Sequence, residues 1–472
     1  MLVIGSACTS PKEDPARDTN QTSTDSEPED PLDSAVEGPL VVSPALTLET
    51  GTQPTNVLLL TVDTLRVDRL NSNGYATRTT TPNLDALLSA AVNLKSHHSC
   101  ASWTYPAFIC AYTGYDQLNA GVWPELQPYT GGEALGPFPG YFPSFVADLN
   151  NQGFQTAMVT GNQVLRGFGM EAGFDVHVKC PSSDCLVGLE GIAAATTQKA
   201  IDLFGTFDRG EPWLLQVHYF EPHLPNYPPL SYREALGPLP DCSLPFQTME
   251  EQIATLDALS DLEDPEDRQN CLEIAEAYYD AEIRFMDDEI GRLMEFLESQ
   301  GIWEDTLLVY FSDHGEEYFD RGGWGHGTSN FQEQTGASGA FYQPGNLTPF
   351  TVTGPTTMED VAPTLYALLG KASDNAFTGQ VINNDPDRLT YQLNFHTETA
   401  QHSVTSSFDK LVYFADCSPM EYYNLSTDPL ETQNAYDPNE PRVALLWEAL
   451  RPHIQQLSEA DDEYSPCGAD TW

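Results

Sequence analysis

Three short, mostly apolar runs punctuate the chain: NVLLLTV at 56–62, PWLLQVHYF at 212–220 and TLLVYFS at 306–312. Their length and composition predict β-strands. Between them lie stretches whose apolar residues recur at helical spacing, NLDALLSAAV at 83–92 and EIAEAYYDAEIRFMDDEIGRLMEFLESQG at 273–301. Thr81 and Pro82 offer an N-cap and a first helical residue to the earlier helix, and Gly301 a C′ residue to the later one. Strands alternating with amphipathic helices predict an α/β domain. No internal repeat interrupts the pattern.

Before Thr55 the pattern is different. Residues 9–54 are rich in Pro, Ser, Thr, Asp and Glu and poor in large apolar side chains, so they are expected to form a flexible acidic tether. The first ten residues, MLVIGSACTS, resemble a bacterial lipoprotein signal spanning 1–8, in which Cys8 is lipidated and becomes the new N-terminus, although the apolar part is short and lacks a basic leader. No other segment approaches the ~20 apolar residues of a membrane span. Export to the periplasm or cell envelope, with the membrane reached only through a lipid at Cys8, is the corresponding expectation.

Composition sharpens this picture. The 472 residues include 70 acids against 20 bases, a formal net charge of −50, and the acid is not confined to the tether, where ten acids face two bases. A surface of that sign excludes a general nucleic-acid binder, which needs basic groups for the phosphate backbone. An anionic substrate would need local positive charge, most simply from a bound metal ion. Eight cysteines follow Cys8; in an exported protein they read as disulfides, with Cys180–Cys185 and Cys242–Cys271 the favoured pairs.

Two of the predicted strands run directly into acids. NVLLLTV ends at Asp63, and TLLVYFS at Asp313, followed at once by His314, Gly315 and Glu316. Ligands in open α/β sheets gather at the carboxyl ends of strands, and two carboxylates with an imidazole suit zinc, manganese, magnesium or calcium. An isolated acid after a strand is more often only a cap.

Together with TTTPNLDALLSAAVNL, SWTYPAFICAYTG, VHYFEPHLPNYPP, FSDHGEEYFDRGGWGHGT, TMEDVAPTLYALLG and the C-terminal KLVYFADCSPMEYYNLSTDPLETQNA, these segments resemble the sulfatase family of the alkaline phosphatase superfamily over residues 55 to 455. The resemblance implies a three-layer α/β sandwich with a mixed central sheet at 55–384, and a small C-terminal α+β subdomain at 385–472. It also implies a metal-dependent ester hydrolase. The family's nucleophile lies ten positions before the Gly of a Thr-Gly pair and two before a Pro, which places it at Thr104, since Pro106 and Thr113-Gly114 follow. Sulfatases proper carry Cys or Ser there, followed by Pro and Arg, as the signal for oxidation to formylglycine. This chain has Thr104, Pro106 and Phe108, so neither the oxidisable residue nor the Arg is present. Other superfamily members use Thr bound to metal, and Asp63, Thr104, Asp313 and His314 reproduce that set for zinc, manganese or calcium.

Further departures bear on the substrate. The family's second acid after the first strand is Thr64; its sulfate-binding Lys positions are Asn162 and His326. His223 matches a histidine near the leaving group, and His223 and His326, with Glu221, are alternatively candidates for a second metal. His218 reads as structural, Trp103 and Trp324 as core with a substrate wall as the alternative, and the adjacent His97 and His98 receive no role. The implied reaction is hydrolysis of a small anionic ester through Thr104, with a phosphodiester or phosphonate monoester preferred, a phosphomonoester next and an aryl sulfate last. A sulfuric ester hydrolase, a phospho-group transferase and a non-catalytic anion-binding lipoprotein are the alternatives. Thiol titration of denatured protein from its native host, with intact-mass analysis, checks the export expectation: most of the eight cysteines after Cys8 should be oxidised and Met1 removed, whereas eight free thiols or an intact Met1 would contradict it.

Overall fold

The structure, a computed structural model, describes residues 46–49, 51–121, 144–162, 164–166, 169–180, 191–246, 248–373, 376–395, 400–460 and 466–467. Its strands in chain order are β1 (Asn56–Val62), β2 (Val92–His98), β3 (Gln155–Thr160), β4 (Val176–Lys179), β5 (Trp213–Tyr219), β6 (Thr306–Ser312), β7 (Glu317–Tyr318), β8 (Trp324–Gly325), β9 (Gly336–Tyr342), β10 (Phe350–Val352), β11 (Thr356–Thr357), β12 (Thr390–Asn394), β13 (Gln401–Thr405), β14 (Asp409–Phe414) and β15 (Glu421–Asn424). The central sheet has nine strands in the order β10-β2-β9-β6-β1-β5-β3-β4, with β11 extending alongside β2. β1, β5 and β6 run parallel, and β9 is antiparallel to both β6 and β2, so the sheet is mixed.

Every residue of β1, β5 and β6 is buried, as strands covered on both faces should be. The pleat divides β1 between two cores. Leu58, Leu60 and Val62 pack with helices α1 (Pro82–Ala90), α4 (Ile192–Phe204) and α7 (Pro265–Ser299), while Val57 and Leu59 pack with α2 (Thr104–Thr113), α3 (Phe145–Asn151) and α9 (Val361–Leu368). The result is the expected three-layer α/β sandwich. Two short helices, α5 (Leu230–Ala235) and α6 (Met249–Ala258), lie in the segment between β5 and α7, and α8 (Gln332–Thr335) leads into β9.

The helix signals hold with one change. Gly301 adopts φ +66 just beyond α7, as a C′ glycine does. Thr81 stands before Pro82 but makes no capping bond; its hydroxyl donates to Asp85 and accepts from the Asn71 N–H. The start of α1 is capped from α7 instead, where the Asp287 carboxylate accepts the N–H groups of Asn83 and Leu84 at 2.9 and 2.8 Å. Burial pushes the Asp287 carboxyl up to about 6. Residues 46–49 fall within the expected tether, yet Leu46 is buried and bonds to Ile382, and the Glu49 N–H bonds to the Asn346 carbonyl.

A second, antiparallel sheet, β12-β13-β14-β15, carries α10 (Pro441–Ala460) on one face around Val404, Leu411, Val443, Leu446 and Ile454. Disulfides join Cys242 to Cys271, as expected, and also Cys100 to Cys110 and Cys417 to Cys467, which spacing did not single out. Cys185, the favoured partner of Cys180, lies outside the described residues, as do Cys8 and the signal segment. Among the described residues no helix is long and apolar enough to cross a membrane.

Arg388, leading into β12, makes a bidentate ion pair with Asp360, a fully buried carboxylate at the start of α9. Replacing Arg388 with Met leaves that carboxylate buried without its cation and should destabilise the fold by about 3 kcal/mol. Urea unfolding at neutral pH measures this; a loss of under about 1 kcal/mol would show that the pair carries little.

Candidate active site

The parallel strands deliver the site. Val62 of β1 stands in register with Tyr219 of β5 and Ser312 of β6, so the next residues, Asp63, Phe220 and Asp313, emerge together at the carboxyl edge. The ladder continues one step further, with the Asp63 N–H on the Tyr219 carbonyl and the Asp313 N–H on the Val62 carbonyl, and the two carboxylates are held side by side. Thr64 turns the chain with φ +50, an unfavourable conformation for a β-branched residue. Two bonds hold it there: its N–H donates to Asp313 Oδ1 at 3.1 Å, and the Tyr279 hydroxyl of α7 donates to its carbonyl at 2.6 Å.

His314 follows from the other strand. Its Nδ1 donates to the Gly315 carbonyl at 2.9 Å, which fixes the tautomer and leaves the Nε2 lone pair facing Thr104 Oγ1 at 3.3 Å, Asp313 Oδ2 at 3.6 Å and Asp63 Oδ1 at 3.8 Å. Burial pushes its pKa down to about 3, so the imidazole is neutral. Thr104 opens α2 and is nearly fully buried. Asn162, just beyond β3, donates through Nδ2 both to Asp63 Oδ2 and to Thr104 Oγ1, the latter at 3.3 Å, while its Oδ1 accepts the Val164 N–H. The structure therefore brings together Asp63, Thr104, Asn162, Asp313 and His314, drawn from sequence positions up to 251 residues apart.

Electrostatics give this cluster its purpose. Burial raises the cost of ionising Asp63, but His223 and His218 outweigh it and hold the carboxyl well below the usual range; burial and the charge of Asp63 push Asp313 well above it. Asp63 Oδ1 and Asp313 Oδ2 are buried without hydrogen-bond partners. Two such oxygens and the His314 lone pair, all within 4.8 Å of one another, are a hard-to-borderline donor set that fits a divalent cation.

His218 is more than a remote structural residue. Its Nε2 donates to Asp63 Oδ2 at 3.3 Å while Nδ1 accepts from Thr61 at 2.9 Å, so it fixes the Asp63 carboxylate from the core side. Phe108 is fully buried and packs edge-on against the His218 ring.

The sequence reading missed Glu316. This buried carboxylate accepts from His326 Nδ1 at 2.7 Å and from the Leu224 N–H at 3.2 Å. Burial opposes charge on both partners, yet their attraction prevails, lowering the Glu316 pKa and raising that of His326. Its only signal was its place directly after Asp-His-Gly. Arg66 was also missed: its buried guanidinium pairs with Asp68 and Asp320 and donates to the Glu316 carbonyl, bracing the same turn. Gly315 within that turn would place a Cβ 2.2 Å from the Glu333 carbonyl oxygen, so only glycine fits.

His223 and His326 do meet, their rings 4.8 Å apart, but Glu221 does not join them. Its Oε1 accepts the Ala193 N–H at the start of α4, and burial pushes its pKa up to about 7; the suggested second metal set with Glu221 is not assembled. Trp103 and Trp324 meet the core-packing expectation, Trp103 buried within one core cluster and Trp324 packed against the other, and both also line a cavity of about 510 Å³ above Thr104, with Asn162, His223, Glu316 and His326. His97 and His98 lie on β2, neutral through burial and away from this cavity.

Replacing Asp63, Asp313 or His314 with Ala is expected to strip the divalent metal while the fold survives, as read by elemental analysis and circular dichroism. Chelation should lower the wild-type melting temperature, because without a cation the paired acids repel each other. Full metal stoichiometry in all three variants would contradict the assignment.

Comparison with known proteins identifies the family. The chain is 23% identical over 478 residues to an arylsulfatase of Clostridium perfringens, covering 87% of this chain and 96% of that protein. The fold resembles a phosphonate monoester hydrolase of Agrobacterium radiobacter with a TM-score of 0.64 at 19% identity, covering 86% of this chain and 96% of that one. It also resembles a protein solved in complex with its substrate D-glucosamine-2-N,6-O-disulfate, with a TM-score of 0.68 at 18% identity, covering 87% of this chain and all of that one. The sulfatase family profile matches residues 55–371. By that match, which spans more than half of its length, the chain belongs to the sulfatase family of the alkaline phosphatase superfamily and is an ester hydrolase of that family.

Proposed function

We propose that the chain hydrolyses a monoanionic ester, with Thr104 as the attacking group. The carrying observation is the Thr104 hydroxyl, 3.3 Å from His314 Nε2 and held by Asn162 among the metal-binding acids. A bound divalent cation would supply an activated hydroxyl at neutral pH and positive charge beside the reacting phosphorus or sulfur. The chain's own residues do the rest. Asn162 orients Thr104 Oγ1, the opening turn of α2 directs the positive end of its dipole toward the anion, and His223 and His326 stand where a departing oxygen takes up a proton.

The preference for a monoanion follows from charge. Of three positions that carry cations in sulfatases proper, Phe108 and Asn162 are neutral, and the charge His326 can carry is matched by Glu316. A dianionic phosphomonoester would exceed the positive charge available, whereas a sulfuric monoester, a phosphodiester and a phosphonate monoester each carry one charge.

Between these, relatives named as sulfatases support the sulfuric ester first. The second reading, a phosphodiester or phosphonate monoester, is favoured by Thr104 itself. An esterified threonine has no aldehyde to collapse to, so it must be released by a second attack at the transferred group, a step well suited to phosphoryl chemistry.

On matched nitrophenyl esters, the metal-loaded enzyme is expected to show kcat/KM for the monoanions at least about tenfold above that for the phosphomonoester, and Thr104→Ala to lose at least about 10³-fold on every substrate. The faster of the sulfate and phosphodiester series decides between the two readings. Wild-type-like turnover by Thr104→Ala would remove Thr104 from the mechanism.

A further inference from the structure

The cavity above Thr104 is chemically two-sided. Its floor holds the polar groups already described. Its walls are Trp103, Val164, Phe220, Leu224, Ile253 and Trp324, and among the described residues no Lys or Arg lines it. The polar atoms nearest these walls are already engaged: the Leu224 N–H and His326 Nδ1 both bond to Glu316, and His223 Nδ1 to the Leu224 carbonyl. The Phe220 ring is itself stacked on His223, with centroids 4.5 Å apart.

Ile253 reaches the cavity from α6, a helix fixed on three sides. Thr248 and Glu251 form a reciprocal cap at its start, Leu256, one turn beyond Ile253, and Leu259, just past the helix, anchor it in the core, and the Cys242–Cys271 disulfide ties the preceding segment to α7. The wall is therefore built into the fold, and a volume of about 510 Å³ leaves room for a group beyond the transferred anion.

We propose that this cavity selects esters whose departing alcohol or phenol is apolar and uncharged, with Phe220, Ile253 and Trp324 as specificity-determining residues. The inference rests on the ester-hydrolase reading of the same site and adds the class of leaving group. A sugar alcohol would bring several hydroxyls against walls made of apolar side chains and indole rings, which carry no acceptor, and a hydroxyl that finds no partner there loses its water bonds without replacement. An apolar ring of the same size loses nothing and gains contact with three aromatic faces.

Cyclohexylmethyl sulfate and glucose 6-sulfate test this, since both are monoanionic esters of primary alcohols. Isothermal titration of each into metal-loaded Thr104→Ala reads binding without turnover, and the apolar ester should bind at least about thirtyfold more tightly. In an otherwise wild-type background, Ile253→Asn should shrink the ratio of kcat/KM for the two esters by about tenfold, chiefly through KM; the matching methylphosphonate esters replace the sulfates if phosphorus proves to be the reacting atom. Equal affinities, tighter binding of the sugar ester, or no binding of either would overturn the inference. Failure of the wild type to turn over any ester, with the affinity ratio intact, would instead sink the proposed reaction and leave the cavity's preference standing.

Discussion

Two carboxylates forced together inside the protein are the constraint on which the rest of the structure depends. Asp63 and Asp313 are fully buried at the ends of adjacent parallel strands, and each keeps an oxygen without a protein partner. Such an arrangement is costly unless a cation joins it. The surrounding structure exists to hold that cost in place: Tyr279 and Asp313 pin the strained turn at Thr64, His218 and Asn162 grip Asp63, and Arg66 braces the turn that carries His314 and Glu316.

Cations are also scarce at the cavity, where among the described residues no Lys or Arg is found. In a chain of net charge −50, each buried Arg and Lys among the described residues already has an acid of its own: Arg66 with Asp68 and Asp320, Arg69 with Asp280, Lys410 with Glu431; the half-buried Arg388 likewise pairs with Asp360. His326 follows this rule through Glu316. Phe108 carries no charge at all: its ring packs against those of His218 and Phe311 at the base of the site. Positive charge for the anion is thus concentrated at the acid pair, where the donor set fits a divalent ion.

The parts outside the central sheet act on the same point. The Cys100–Cys110 disulfide closes the loop that contains Thr104, joining the approach to α2 to the helix's second turn. The second sheet reaches that loop through the Leu393 N–H on the Cys100 carbonyl, and Gln117 bonds to both Cys100 and Leu393 carbonyls. It also reaches the His326 segment, where Asn394 donates to the Gly327 carbonyl. The attacking role proposed for Thr104 needs such support, because small misplacements at a reacting centre are expensive.

The sequence by itself determined the layered α/β class, the strand ends at Asp63 and Asp313, the adjoining His314 and the helix start at Thr104, because each is a local matter of apolar runs, caps and neighbouring residues. The family motifs extended this to Asn162, His223 and His326 across the chain. Only the tertiary structure decided what crosses between elements. Capping of α1 by Asp287, the grip of His218 on Asp63, the Glu316–His326 pair and the turning of Glu221 toward α4 depend on side chains far apart in sequence or on the direction a side chain takes, and neither leaves a periodic mark. The two unexpected disulfides belong to the same group, since pairing follows the distance between Cα atoms in the folded chain and not their spacing along it.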